Sequence, residues 1–157
     1  MALSNLGGMK IFPPFYSIRT KASCWRCHAT QDIIGLICTA FQEDGDEARS
    51  EAPATVQEIT QLPRELLDEM VRRRPAFKLC HSHTADQEYY ANACSCGTFF
   101  GDHFIYSDPG GGGFFPTSDD EAAQIDVEQL PIDEPVEVEA NWGMGAADHI
   151  LEKGNRI

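Results

Sequence analysis

At 157 residues, with 42% hydrophobic side chains that include nine Phe, four Tyr and two Trp, the chain has enough apolar material for one core of ordinary size, so residues 1–157 are expected to form a single domain. A net charge of −13 disfavours unspecific binding of polyanions, and no apolar run approaches the roughly 20 residues of a membrane-spanning helix. Met1 to Lys10 lacks the charged, apolar and small-residue regions of a signal peptide, and with six cysteines the expectation is a cytoplasmic protein whose thiols serve metal or chemistry instead of disulfides.

In chain order, Ile11 to Thr20 reads as an extended entry strand that Pro13 and Pro14 confine to a sheet edge. Cys24-Trp25-Arg26-Cys27 follows, a tight turn presenting two thiols. Residues 1–41 are the basic part of the chain, net +3, with Lys10, Arg19, Lys21 and Arg26 against Asp32. Ile33 to Phe41 is a continuous β-branched and apolar run, the pattern of a strand covered on both faces. Gln42 to Pro53 is acidic and rich in small residues, a loop or mobile linker, and residues 42–58 carry net −5.

A helix is predicted over Pro63 to Arg73. Pro63 suits its first position, and Leu62, Leu66 and Met70 with Leu67 and Val71 make one apolar stripe. Arg72, Arg73 and Arg74 crowd the end where cations meet the negative pole of the helix, as a structural terminus or an anion site, and Pro75 stops it. Ala76 to His83 alternates, with Phe77, Leu79, His81 and His83 on one side, and reads as a half-buried strand. Tyr89-Tyr90-Ala91-Asn92 leads into Cys94-Ser95-Cys96-Gly97, and Thr98 to Tyr106 leaves it as a Phe-rich strand. Gly110 to Gly113 breaks that strand without the lysine or helix start of a phosphate loop, and Phe114-Phe115-Pro116 drops aromatic rings back onto the core. The segment 117–140 holds nine acids and no Lys or Arg. Ala147, Ile150 and Leu151 are spaced for a short docking helix.

The two short cysteine pairs, 66 residues apart, have the form of knuckles that close a tetrahedral four-sulfur zinc shell. Cys24, Cys27, Cys94 and Cys96 are therefore the expected ligands, with Gly97 where the backbone turns sharply and donates N–H groups to thiolate. His28 is the alternative ligand if the tight Cys94–Cys96 pair cannot chelate. A redox C-x-x-C is disfavoured because a strand, not a helix, follows it. Cys38 and Cys80 sit in apolar strand patterns and read as small buried hydrophobes.

Catalytic residue types cluster only at His81, His83, Asp86, Glu88, Asp102 and His103. His81 and His83 could ligate a second metal with Asp102 or His103. The reading preferred is that these are polar strand ends beside the knuckle, since no nucleophile–base motif, G-x-S-x-G elbow or open zinc site accompanies them. The chain is expected not to be an enzyme.

The succession C-W-R-C-H, Leu62-Pro63 with a helix, Tyr89-Tyr90-Ala91-Asn92 before C-S-C-G, Gly101-Asp102-His103-Phe104 and a Gly-rich Phe-Phe-Pro resembles a group of uncharacterised bacterial zinc-ribbon proteins, over roughly residues 22–116. In that group the second knuckle usually reads C-x-x-C-G, and C-x-C departs from it. The resemblance implies the same four zinc ligands and no activity. Together these features predict an α+β fold, a zinc-ribbon-like antiparallel sheet with one inserted helix and a short C-terminal helix. The function expected is a non-catalytic, zinc-stabilised interaction module for a basic protein, in its sharper form an acidic inhibitor of a nucleic-acid-binding partner. Asp119, Asp120, Glu121, Asp126 and Glu128 are the candidate contact residues. The alternatives are a nucleic-acid-binding ribbon using Lys10, Arg19, Lys21 and Arg26 with Trp25 for stacking, and then a metal-dependent enzyme.

Overall fold

The computed structural model describes residues 7–83, 86–111 and 113–157. Met1–Leu6 of the N-terminal stretch, Thr84 and Ala85 after the predicted Ala76–His83 strand, and Gly112 of the glycine run lie outside the described residues. Two long strands, β1 (Gly7–Ser23) and β2 (Thr30–Glu43), form an antiparallel hairpin in register from Met9 opposite Glu43 to Ser23 opposite Thr30. The first cysteine pair is its turn.

On its other side β1 changes partner halfway. Gly7–Ile11 pair with β8 (Val136–Gly143), and Tyr16–Arg19 pair with β7 (Asp126–Gln129). Pro13 and Pro14 fall between these pairings, where the register with β2 also shifts. Their missing N–H groups are needed by neither ladder. β1 is thus an interior strand with a proline bulge, not the edge strand expected.

β3 (Ala54–Gln61) pairs with β2 at Leu36–Cys38 and with β8 at Thr55–Gln57, so β1, β2, β3 and β8 close a four-stranded antiparallel barrel. At Glu58, whose φ is 48°, β3 bulges out of the barrel, and Ile59 pairs with Tyr90 of β5 (Gln87–Ala93). β4 (Phe77–Ser82), β5, β6 (Phe99–Phe100), β7 and β9 (Asn155–Arg156) lie outside the barrel. This overturns the expected α+β zinc-ribbon-like sheet. The protein is mostly β, with the first cysteine turn at the end of a barrel hairpin and the second between β5 and β6, outside the barrel.

Helix α1 (Arg64–Arg73) follows the predicted stripe, burying Leu66 and Met70 against the barrel core. Arg73 then spans from Glu69 to Glu128 at 2.8 and 2.9 Å, tying the helix to β7. The C-terminal helix α4 (Ala147–Lys153) docks through Ala147 and Ile150, as its spacing predicts. Phe114 is fully buried against Tyr106, and Gly113 permits this because a Cβ there would stand 2.4 Å from the Ile105 carbonyl oxygen. Gln42–Pro53 begins as the end of β2 and folds back by a Phe41–Ser50 bridge.

Two local expectations fail for physical reasons. Thr98–Tyr106 is not one strand: β6 ends at Phe100, and α2 (Asp102–Ser107) follows Gly101. Adjacent Ile105 and Tyr106 are both buried while Phe104 is 44% exposed, which suits a helix and not an alternating strand. On β4 only Phe77 is buried. Leu79 is 46% exposed and Cys80 is half-buried, because β4 is the outermost strand and little covers it past Phe77. Cys38, by contrast, is fully buried as expected. No helix among the described residues is long and apolar enough to cross a membrane.

Strand β2 has its two faces in two cores. Ile34, Leu36 and Cys38 face the barrel core with Phe15 and Met70. Ile33 and Ile37 face a second core with Ile18, Phe100, Ile105, Phe114 and Ile150. Buried Asn92 bridges to β2 through its side chain: Oδ1 accepts from Ile34 N at 2.8 Å, and Nδ2 donates to Ile34 O at 3.0 Å. Asn92→Ala would orphan both groups, and we expect a loss of about 2–4 kcal/mol in unfolding free energy by denaturant titration. A variant within 0.5 kcal/mol of wild type, roughly the scatter of surface substitutions, would show that this bridge does not hold the hairpin.

Candidate metal centre

Both cysteine turns are built the same way. In the first, His28 N donates to Cys24 O at 2.9 Å and Cys24 N to Ala29 O at 2.9 Å. In the second, Gly97 N donates to Cys94 O at 3.0 Å and Cys94 N to Thr98 O at 2.8 Å. The residue after the second cysteine is left-handed in each case, His28 at φ 65° and Gly97 at φ 99°. The C-x-C turn therefore closes like the C-x-x-C turn with one residue fewer. His28 occupies the position that glycine takes in its counterpart, a backbone role, and it is not among the clustered ligands.

The four thiols converge, with ligand atoms all within 4.8 Å of one another. Cys24 Sγ lies 3.8 Å from Cys96 Sγ, and Cys27 Sγ lies 3.6 Å from Cys94 Sγ. A tetrahedron with metal–sulfur bonds of about 2.3 Å has edges of about 3.8 Å, so these spacings fit a four-thiolate zinc shell. Among the described residues no other group of three or more potential ligands gathers this closely. Cys24 and Cys94 are buried, Cys96 is half-buried and Cys27 is exposed.

The surroundings favour negative sulfur. Arg26 N donates to Cys24 Sγ at 3.4 Å, and Gln31 Nε2 donates to Cys94 Sγ at 2.8 Å. The Cys96 amide leads the groups that pull Cys94 down to about 6, and the Cys27 amide leads those that lower Cys24. For Cys27 the Ala29 amide favours the thiolate, but the Cys94 thiol and burial outweigh it and push the group up to about 11. Four sulfurs this close cannot all ionise unaided, and a divalent cation supplies the charge that lets them.

The other predicted groups are dispersed. Asp102 is buried, its Oδ2 accepting from Glu58 N at 2.7 Å while its own amide donates to Tyr89 Oη at 3.2 Å. Its carboxyl thus serves the β3 bulge. His81 and His83 stand edge to face on the exposed end of β4, with His81 Nε2 4.0 Å from Asp86, and His103 is exposed. Of the acids proposed for a partner, Asp119 meets His149 at 2.9 Å and Glu121 accepts from Thr117 N at 2.8 Å. Asp126 accepts from Asn155 at 2.8 Å, Glu128 pairs with Arg73, and Asp120 is exposed.

The three basic residues of β1 each stand opposite an acid across the ladder, Lys10 opposite Glu137, Arg19 opposite Asp126 and Lys21 opposite Asp32. The arginine run at the helix end is structural: Arg72 and Arg73 hold Glu69, and Arg74 turns into the interior. Sequence reasoning missed Gln31, and it read Arg74 only as one of three arginines at the helix end, because the fold alone brings these side chains beside the cysteine turns.

No protein-family model, curated protein or solved structure matches the chain.

Burial pushes the Asp102 carboxyl up to about 7 despite the Glu58 amide. A carboxyl raised on folding costs nothing below its unfolded value near 4 and destabilises as pH rises through 7. Asp102→Asn keeps an acceptor for Glu58 N and removes the charge. Relative to this variant, wild type should lose about 4 kcal/mol between pH 4 and pH 8, nearly all of it by pH 7. Parallel stability–pH curves for the two proteins would refute the shift.

Proposed function

We propose that the chain is a non-catalytic module in which a small β-barrel carries a second core clamped by one structural zinc ion, and whose acidic surface docks a basic protein. The observation that carries this reading is the sulfur geometry. Four cysteines at tetrahedral spacing fill the coordination shell of zinc and leave no position for substrate. Closed shells of this kind contribute folding energy, not chemistry. A compartment that keeps thiols reduced, such as the cytoplasm, suits such a site.

The net charge of −13 supports a basic partner, and a partner that itself binds nucleic acid presents the complementary surface. Glu128 is committed to Arg73 and Asp126 to Asn155, whereas Asp120 is exposed and Asp119 keeps most of its side chain in solvent beside His149, so these two carry more of this proposal. The nucleic-acid reading is weakened because Lys10, Arg19 and Lys21 each meet a cross-strand acid.

The purified protein should hold one zinc per chain by elemental analysis, and Cys24→Ser should abolish stoichiometric uptake. Structural zinc contributes on the order of 10 kcal/mol. Chelation should therefore expose amides in 24–30 and 94–100 to hydrogen exchange, while the barrel strands keep more protection. Zinc-free protein with an unchanged melting temperature would overturn the structural role.

For the partner, Asp119→Asn with Asp120→Asn should slow association with a captured basic protein, and salt should weaken it through screening over about 8–10 Å. Salt-independent binding that ignores the double variant would remove the acidic surface from the proposal. If the variant instead binds DNA or RNA better than wild type, the nucleic-acid reading takes its place.

A further inference from the structure

Arg74, the residue that ends α1, is a buried cation with no acid bonded to it. It is only 7% exposed, yet its guanidinium donates to main-chain carbonyls alone, Nε to Asp32 O and Nη2 to Ala93 O at 2.9 Å. Nη1 is buried with no hydrogen-bond partner among the described residues. This is notable in a chain with 25 acids, where neighbouring Arg73 takes both Glu69 and Glu128. The Asp32 carboxylate favours the guanidinium's charge without bonding it: it turns out to Lys21 Nζ at 2.8 Å and is more than half exposed, where solvent screens it. Burying a charge without a counter-charge is costly, so an opposing charge near Arg74 is the arrangement to look for.

The two carbonyls show where that charge lies. Ala93 directly precedes Cys94, and Asp32 directly follows Gln31, whose amide reaches Cys94 Sγ at 2.8 Å. The guanidinium therefore fastens together the two chain segments that enter the cysteine cluster, one from β2 and one from β5. Besides Asp32, the groups whose charge favours the guanidinium are the Cys94 and Cys80 sulfurs. Four thiolates around a divalent ion carry a net charge of −2, which a half-buried site cannot leave uncompensated at low cost.

We propose that Arg74 is the counter-cation of the metal centre, holding it in the four-thiolate state and raising its affinity for the ion. This rests on the zinc reading above. Arginine suits the place better than lysine would, since its planar fork meets two carbonyls while its charge stays delocalised. Gln31 acts beside it as a neutral donor to the same sulfur.

The test measures zinc affinity by competition with a chromophoric chelator, and cobalt uptake by its thiolate charge-transfer band, in wild type, Arg74→Gln, Arg74→Lys and Arg72→Gln. The last variant removes a charge from the same helix end at a largely exposed side chain. Arg74→Gln should weaken both ions roughly 10–100-fold, the usual cost of losing a group that supports metal ligands. Arg74→Lys should recover most of that affinity, and Arg72→Gln should bind as wild type. Wild-type affinity in Arg74→Gln overturns the proposal, as does a fall in Arg74→Lys as large as in Arg74→Gln, which would leave only the carbonyl clip. If Arg74→Gln does not fold, the lysine variant decides: retained affinity supports the counter-charge, and a tenfold loss or more refutes it. A wild-type chain that takes up neither ion overturns the zinc reading, and this proposal with it.

Discussion

The structure depends on one hairpin being covered on both faces. β1 and β2 run for 17 and 14 residues, well beyond the usual five or six, and each contributes to two separate cores. A slip of one residue between them would exchange the inward and outward sets, and along β2 both sets are apolar, so burial of that strand alone would resist it weakly. Local features fix the register instead. The proline bulge sets one end of the pairing, the Asn92 bridge holds Ile34, and the cysteine turn sets the other end.

The two cores differ in how they are held. The barrel core is enclosed by hydrogen-bonded strands that close on one another. Besides the hairpin, the second core is lined by α2, β6, β7 and α4, with α3 (Asp119–Ala122) packed against α4, elements of two to seven residues. Pieces that short cannot persist through their own hydrogen bonds. A metal ion held by the four cysteines would join the β1–β2 turn to the β5–β6 turn and remove much of their freedom, as a disulfide does in an oxidising compartment. The exposure of Cys27 fits a clamp placed at the rim of this core and not inside it.

Features governed by local chemistry were legible in the sequence: the α1 stripe, the α4 spacing, the doubly covered β2 and the convergence of Cys24, Cys27, Cys94 and Cys96. Closure of the barrel was not, because it depends on β8 pairing with both β1 and β3, contacts between residues far apart in the chain. The prolines of β1 misled for a related reason. They exclude a continuous ladder, but an edge and a change of partner satisfy that constraint equally. Asp102 and the histidines looked like a cluster only because they share polar types, and the β3 bulge at Glu58 gives Asp102 a structural use that no motif announces.

Charge shows the same division between what composition states and what pairing decides. A net of −13 suggests a surface of free acids, yet the fold binds many of them internally: Glu69 and Glu128 by Arg73, Asp119 by His149 and Asp32 by Lys21. Exposed pairs such as Lys21–Asp32 are worth little each, and salt weakens them. The Arg73 pairs are more buried and act together, joining α1 to β7. With carboxylates spent so freely on surface lysines and half-buried arginines, the lack of one at Arg74 is not a shortage of acids. A carboxylate placed there would add a further negative charge beside four sulfurs that already repel one another. The counter-cation proposed at Arg74 would give the fold's electrostatics and its sulfur geometry one common requirement, a divalent ion at the four cysteines.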